Sequence, residues 1–364
     1  MKNNILIAVS GTGGHVYPGF ALGEELKKHN YNPVYIVNNN KNGISLKIVQ
    51  NSGYDYEILD FKAPSRKFGK EMLLFPFKFV KALFDTRKIL KRVSPSVVVG
   101  MGAYLSFPVL VTAKISGIPT LIHEQNSIPG LANRVLSKFV TKIAVSFKDS
   151  VKYFSKNKTI FTSNPIRKDI FNISRKVAAE KLGLNADIFT VFVFGGSLGA
   201  VKLNKIVFDS AQKLFEKYGD KIQFIHITGN NDFEQIKQKY LQLNTKKFIT
   251  NYMNDIGNAY AASDLVICRA GAGAVKETEF YNLPAIFVPF PYATDNHQYF
   301  NAKSIEEENF RVVIDEKDLN SEEITNFVSK HFTEKIDTER KVCLTSFPQE
   351  VLAREVLKLI NEKI

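Results

Sequence analysis

The chemistry of this chain is legible first at Glu277, which stands one turn into a helix behind a turn of small residues. An apolar run, Leu265 to Cys268, reads as a buried strand, and Arg269-Ala270-Gly271-Ala272-Gly273-Ala274 follows as the turn. The helix is predicted to begin near Ala274. Small residues let a backbone approach a ligand closely, and the N–H groups at a helix N-terminus favour an anion. A carboxylate cannot hold phosphate, because like charges repel. Glu277 suits a neutral diol such as a ribose, accepting from both hydroxyls. The pattern equally fits an ordinary βα unit with an exposed Glu. A second apolar run, Ala285 to Phe290, reads as the next strand, with a polar tail ending in Gln298 and Asn301.

Three further strand–glycine-loop pairs frame this stretch. Ile5 to Val9 runs into Ser10-Gly11-Thr12-Gly13-Gly14-His15 and a helix over Gly19 to His29. That spacing is G-x-G-G-H, not the dinucleotide fingerprint G-x-G-x-x-G. Val97 to Val99 runs into Gly100-Met101-Gly102-Ala103-Tyr104-Leu105-Ser106, and Thr190 to Phe194 into Gly195-Gly196-Ser197-Leu198-Gly199-Ala200. The polar cluster His123-Glu124-Gln125-Asn126 ends an apolar run from Pro119 to Ile122, where open α/β sheets bind ligands. Asn164-Pro165 breaks the pattern and marks a domain boundary. The expected division is residues 1–163, 164–345 and a closing helical segment over 346–364. Glycine loops in two similar α/β domains suggest a cleft with a phosphate site on each wall, as two phosphorylated substrates would need.

The bulk numbers agree. The chain has 364 residues, 45% of them hydrophobic, a net charge of +13 and a pI near 9.4. That charge favours an anionic partner: nucleic acid, an acidic membrane surface or a phosphorylated substrate. No recognition motif supports nucleic acid. Two cysteines, Cys268 and Cys343, without metal spacing argue against a disulfide framework or a zinc site. The N-terminus shows no signal-peptide pattern, and no apolar run approaches the roughly 20 residues that span a bilayer. Residues 66–92 interleave Leu73, Leu74, Phe75, Phe77, Phe79 and Leu83 with Lys and Arg. Such a segment fits either an anionic membrane interface or a helix packed on a sheet.

Taken together and in order, Gly11 to His15, Gly100 to Ser106, His123 to Asn126, Asn164 to Arg167, Gly195 to Ala200, and Arg269 to Glu277 with Gln298 and Asn301 are specific. On them the chain resembles the MurG family, bacterial UDP-N-acetylglucosamine (UDP-GlcNAc) transferases that complete lipid II. The resemblance implies a GT-B fold, two Rossmann-like α/β domains with parallel sheets facing across a cleft. It also implies that the last helix returns to the first domain. UDP-GlcNAc would lie mainly on the second domain. Glu277 would take the ribose, Ser197 the diphosphate, Met253 the uracil through its backbone, and Arg167 the nucleotide. Ala272, Gly273, Ala274, Val275 and Lys276 would line the donor site, and Gln298 and Asn301 would read sugar hydroxyls. Thr12, Gly13, Gly14 and Asn126 would close on the sugar from the first domain. The acceptor, lipid I (undecaprenyl-diphosphate-linked muramoyl pentapeptide), would bring its diphosphate to Gly11, Gly13, Gly14, His15, Gly102, Ala103, Tyr104 and Ser106.

The acceptor is then a sugar hydroxyl, and a base must take its proton. His15 is the first candidate and Glu124 the second. His15 could instead bind acceptor phosphate or cap a helix, and Glu124 could be a buried orienting carboxylate. The sequence holds no D-x-D pair, so no metal or other cofactor is expected. Helix N-termini would offset the charge of departing UDP. The family implies inversion at the anomeric carbon and a peripheral place on the cytoplasmic face of the bacterial inner membrane. Other cell-wall or division proteins are further candidate partners. A UDP-GlcNAc 2-epimerase and a non-catalytic sugar-nucleotide-binding regulator are the competing readings. The chain departs from the family pattern at Ala103 and Ser163, where glycine is usual, and at Leu198, Ala270, Gly273 and Ala274. One extra residue stands between Phe290 and Gln298.

Overall fold

The structure is a computed structural model that describes residues 3–11, 13–40, 44–62, 70–171, 173–196, 199–334 and 347–361. It divides into two compact units, Met1–Arg167 with Thr345–Ile364, and Lys168–Leu344. Asn164 to Arg167 therefore go with the first unit, past the boundary expected at 163. The Ser146 hydroxyl donates to Asn164 Oδ1 (3.3 Å), the Ile166 N–H to Gln349 Oε1 (3.4 Å), and the Arg167 guanidinium lies 4.1 Å from the Tyr17 ring centroid.

In the first unit, β1 (Asn4–Ala8), β2 (Asn32–Asn38), β3 (Tyr56–Leu59), β4 (Val97–Gly100), β5 (Thr120–Glu124), β6 (Lys142–Val145) and β7 (Thr159–Phe161) form one sheet. Its order is β3-β2-β1-β4-β5-β6-β7, and every pairing is parallel. Continuous apolar runs suit strands covered on both faces. Alternate residues supply two cores: Leu6 and Ala8 face one, Ile5, Ile7 and Val9 the other. The second core also holds Leu352, Ala353, Val356 and Leu359 of the closing helix, Pro348–Asn361. Lys142 pairs with Glu355 of that helix at 3.1 Å.

In the second unit, β8 (Phe189–Phe194), β9 (Ile222–Ile227), β10 (Lys247–Thr250), β11 (Leu265–Cys268), β12 (Ala285–Phe287) and β13 (Arg311–Val313) form a parallel sheet. Its order is β10-β9-β8-β11-β12-β13. The apolar run predicted as a strand to Phe290 leaves the sheet after Phe287. Pro289 has no N–H to give a ladder, and Arg269 Nη1 takes the Val288 and Pro289 carbonyls instead (3.3 and 3.1 Å).

Each sheet reverses its winding once. In the first the reversal lies between β1 and β4, where Ala8 pairs with Gly100. In the second it lies between β8 and β11, where Phe194 pairs with Cys268. The four glycine-rich or small-residue loops emerge at these two level strand pairs. The crevice at such a switch point is where open α/β sheets bind ligands.

The basic amphipathic segment, of which residues 66–69 lie outside the described residues, forms the helix Lys70–Val93. Phe75 and Phe79 pack against Phe61 (ring centroids 5.9 and 6.1 Å), and Phe79 meets Phe107 at 5.5 Å. For these two residues the packed-helix reading holds: they are partly buried against the core of the first unit. Leu83 is half-buried. Leu73, Leu74, Phe77, Val80 and Phe84 are exposed, with Leu73 at 78% and Phe77 at 75%. Leu73, Phe77, Val80 and Phe84 recur at helical spacing and make one outward stripe.

Phe79→Ala should therefore destabilise the protein by about 3 kcal/mol, and Phe77→Ala by less than about 0.5 kcal/mol. Chemical denaturation of the two variants measures the difference; equal losses would contradict the division of the helix into two faces.

Candidate active site

In the first unit the loop after β1 runs through Gly11, in the left-handed region at φ +84°, into the helix Gly13–Lys28. Thr12 lies outside the described residues. The N–H groups of Gly13, Gly14 and His15 open the helix, where no carbonyl of the preceding turn exists to accept them. Three small or planar residues there leave the positive helix end open to an anion. The imidazole of His15 lies against Gly102, in the loop after β4. A Cβ on Gly102 would stand 2.9 Å from His15 Cδ2 and 3.2 Å from Nε2, and the residue's φ is +84°. Glycine is required at 102 on both counts.

The loop after β4 is tied down internally. Ser106 is buried; its hydroxyl donates to the Gly102 carbonyl (2.5 Å) and its N–H to the Ala103 carbonyl (3.3 Å). In this arrangement Ser106 shapes the loop. Tyr104 is exposed and Ala103 half-buried. Ala103 sits at φ +59° and Ser163 at φ +60°, so both positions where glycine is usual hold left-handed backbone. An L side chain there costs about 1–2 kcal/mol.

Glu124, at the end of β5, is buried. Its Oε1 accepts from the Asn126 N–H (2.9 Å), and its Oε2 from the Gly130 N–H (3.1 Å) and Asn133 Nδ2 (2.8 Å). Burial pushes its pKa above the usual carboxylate range, against the pull of these donors. Both oxygens are engaged in clamping the loop that carries Asn126. Asn126 is half-buried, and its carbonyl accepts from the Ser150 hydroxyl (2.9 Å). His123 is fully buried between the Ser163 carbonyl (3.2 Å) and the Ser146 hydroxyl (3.3 Å), and burial lowers its pKa to about 4.

In the second unit the helix Ala272–Phe280 begins two residues earlier than predicted. Gly271 in extended backbone is its N-cap, and the Val275 N–H closes the first turn on the Gly271 carbonyl (3.0 Å). The N–H groups of Ala272, Gly273 and Ala274 open that helix. Glu277 is half-buried and reaches back over them: its Oε1 is 3.9 Å from where a Cβ on Gly273 would stand. Val275 is buried, and the Lys276 ammonium is held by Glu279 at 2.8 Å, so neither side chain is presented as a ligand. Asn301 is fully buried, with Nδ2 on the Ala270 carbonyl (3.3 Å). It holds the turn. Gln298 is half-buried and accepts the Phe290 N–H (2.9 Å). Met253 is half-buried in the loop between β10 and the helix Ile256–Ala262.

The loop after β8 turns through Gly196 (φ +85°) and Gly199 (φ +76°); Ser197 and Leu198 lie outside the described residues. Its far side is held by a buried network absent from the sequence analysis. Asn204 donates to the Thr228 carbonyl (2.9 Å) and the Asp232 carboxylate (2.9 and 3.0 Å), and its Oδ1 faces His226 Nε2 (3.0 Å). His226 Nδ1 meets the Tyr240 hydroxyl at 3.2 Å, and burial lowers the His226 pKa to about 3. The only sequence trace of it is a polar His inside the apolar strand Ile222–Ile227.

Comparison with known proteins now decides between chemistries. Residues 5–145 match the glycosyltransferase family 28 N-terminal domain and residues 190–352 its C-terminal domain. The chain is 37% identical, over 89% of both chains, to the UDP-N-acetylglucosamine--N-acetylmuramyl-(pentapeptide) pyrophosphoryl-undecaprenol N-acetylglucosamine transferase of Acetivibrio thermocellus. It belongs to this glycosyltransferase family. The crystal structure of Acinetobacter baumannii MurG shares the GT-B fold, with a TM-score of 0.74 at 23% identity over 98% of this chain and 99% of that one. A UDP-GlcNAc 2-epimerase from Neisseria meningitidis, bound to UDP-GlcNAc, shares it too, with a TM-score of 0.65 at 15% identity over 99% of this chain and all of that one. The fold alone therefore does not separate transferase from epimerase; family membership does.

Two of the buried histidines, His123 and His226, set a pH dependence. Both are neutral in the folded state, with pKa about 4 and about 3, and take a proton near 6.5 when unfolded. The unfolded state binds more protons between these values, so stability is full above pH ~6.5 and falls as the pH drops toward 4. By pH 5 each should have lost about 2 kcal/mol. Denaturant melts at pH 7.5 and 5.0 measure this; equal midpoints would contradict it.

Proposed function

We propose that the two switch points divide the two substrates, with lipid I held on the first unit and UDP-GlcNAc on the second. The enzyme moves GlcNAc from UDP-GlcNAc to the C4 hydroxyl of lipid I, giving lipid II for peptidoglycan. Support comes from charge as well as family. The first unit carries 27 Lys and Arg against 12 Asp and Glu, and the second 22 against 24, so the net charges are +15 and −2. The whole excess of the +13 chain thus lies with the unit that would meet a lipid-linked diphosphate at an anionic membrane surface. The exposed stripe of the Lys70–Val93 helix belongs to the same unit. It would seat the enzyme peripherally on the cytoplasmic face of the inner membrane.

The observation that carries the mechanism is the seat of His15 at a helix start, against Gly102, with Glu124 already engaged. His15 takes the proton of the acceptor hydroxyl as that oxygen attacks the anomeric carbon. One displacement inverts that carbon. The charge growing on UDP is met by the N–H groups at Ala272, Gly273 and Ala274 and by the loop after β8. No metal is assigned a part, in keeping with the missing D-x-D pair. Glu277 accepts the ribose hydroxyls, Met253 offers its backbone to uracil, and Gln298 completes the donor contacts.

Turnover of labelled UDP-GlcNAc with a short-chain lipid I analogue in chelator is the test. Wild type should form product, and His15→Ala should lose about 100-fold or more in kcat. Glu277→Ala should weaken donor binding by about 1–3 kcal/mol. Product only on restoring metal would overturn the metal-free account, and N-acetylmannosamine with free UDP would indicate the epimerase. For the membrane, Leu73→Ser with Phe77→Ser and Phe84→Ser should release the protein from anionic vesicles at unchanged melting temperature. Retained vesicle binding would remove the stripe from the docking surface.

A further inference from the structure

The loop that seats His15 is pinned from two strand ends and a helix start. The Met101 N–H donates to the Ala8 carbonyl at the end of β1 (2.9 Å). The Met101 carbonyl accepts from Gln125 Nε2, beyond the end of β5 (2.8 Å). The Gly102 carbonyl is held by the Ser106 hydroxyl (2.5 Å). Of these pins only Gln125 comes from outside the β1–β4 switch point and its helices. It is 3% exposed, and its other amide atom, Oε1, is turned to the same spot as His15. A Cβ on Gly102 would stand 3.0 Å from Gln125 Oε1 and 3.2 Å from His15 Nε2. The two atoms are therefore at most about 6 Å apart, close enough for a charge on one to bias the other.

We infer that Gln125 is a positioning residue for the transfer: its amide fixes the Met101 peptide, so that Gly102 offers a side-chain-free seat on which the His15 ring is aimed. The amide suits this place for two reasons. Its Nε2 supplies the donor that the Met101 carbonyl needs, and its Oε1 faces the imidazole side without a formal charge. A carboxylate in its place would lose the donor and hold the imidazole protonated, which a base cannot be. The inference rests on His15 acting as base, and the experiment separates the two.

The His15 pKa is measured by NMR of histidine-labelled full-length protein, assigned with His15→Asn, in wild type and Gln125→Glu. The pH profile of kcat/KM is taken in parallel. The His15 pKa should rise by about one unit or more in Gln125→Glu, and the acidic limb of the profile should rise with it. A raised His15 pKa with an unmoved limb would keep Gln125 beside His15 but remove the positioning role, since His15 would not be the base. An unmoved His15 pKa would overturn the inference outright. Gln125→Leu guards against misfolding of the charged variant. It should lower kcat about 10-fold or more, with KM for UDP-GlcNAc within about twofold and melting close to wild type. A loss in Gln125→Leu that appears only in stability or donor KM would assign Gln125 a structural role alone.

Discussion

A parallel sheet wound in two directions must leave a gap between the loops of the two strands where the winding reverses. That constraint governs both units of this enzyme. At β1 and β4, and again at β8 and β11, two strands end level and their loops diverge to helices on opposite faces. The backbone there is free of the sheet ladder, so helix-start N–H groups collect beside it. Gly102, without a side chain, keeps the first of these spaces open, and Gly199 lets the loop after β8 lie against the chain beyond β9. A Cβ at 199 would come within 2.6 Å of the Thr228 carbonyl. The positions of His15 and Glu277 follow from these two gaps.

Around each gap lies a shell of buried polar groups whose work is to fix backbone. Glu124, Gln125 and Ser106 hold loops in the first unit; Asn204, Asn301 and Arg269 do so in the second. The Arg269 guanidinium pairs with Glu316 and takes two carbonyls as well, so its burial leaves no charge uncompensated. Buried polar groups of this kind are expensive when half-satisfied and rigid when satisfied. The small polar inventory near each gap therefore serves precision, while the apolar cores on either side of each sheet supply stability.

Much of this was legible in the sequence, because strand, glycine loop and helix follow one another in a short span. The four loops, the fold class and the closing helix need only local pattern. Direction is what local pattern lacks. Spacing placed Phe75, Phe77 and Phe79 together on one amphipathic helix, but only packing against Phe61 and Phe107 tells which are covered. Ser106, Glu124 and Asn301 lie where ligands bind, yet each turns its polar atoms inward to a neighbouring loop. The Asn204–His226–Tyr240 network joins residues far apart in the chain, and no periodicity announces it. Ala103 and Ser163 are the converse case: their left-handed backbone supplies the physical reason why glycine is the usual residue there.

The central claim is that each switch point serves one substrate. Hydrogen–deuterium exchange, read with UDP-GlcNAc alone and with a soluble lipid I analogue alone, addresses it most directly. The donor should slow exchange most at Gly199 to Asn204, around Met253 and over Ala272 to Glu277, with a smaller effect on Gly11 to His15 and Gly102 to Tyr104. The acceptor should do the reverse. Donor protection centred on Gly11 to His15, or acceptor protection centred on Ala272 to Glu277, would contradict the division of labour.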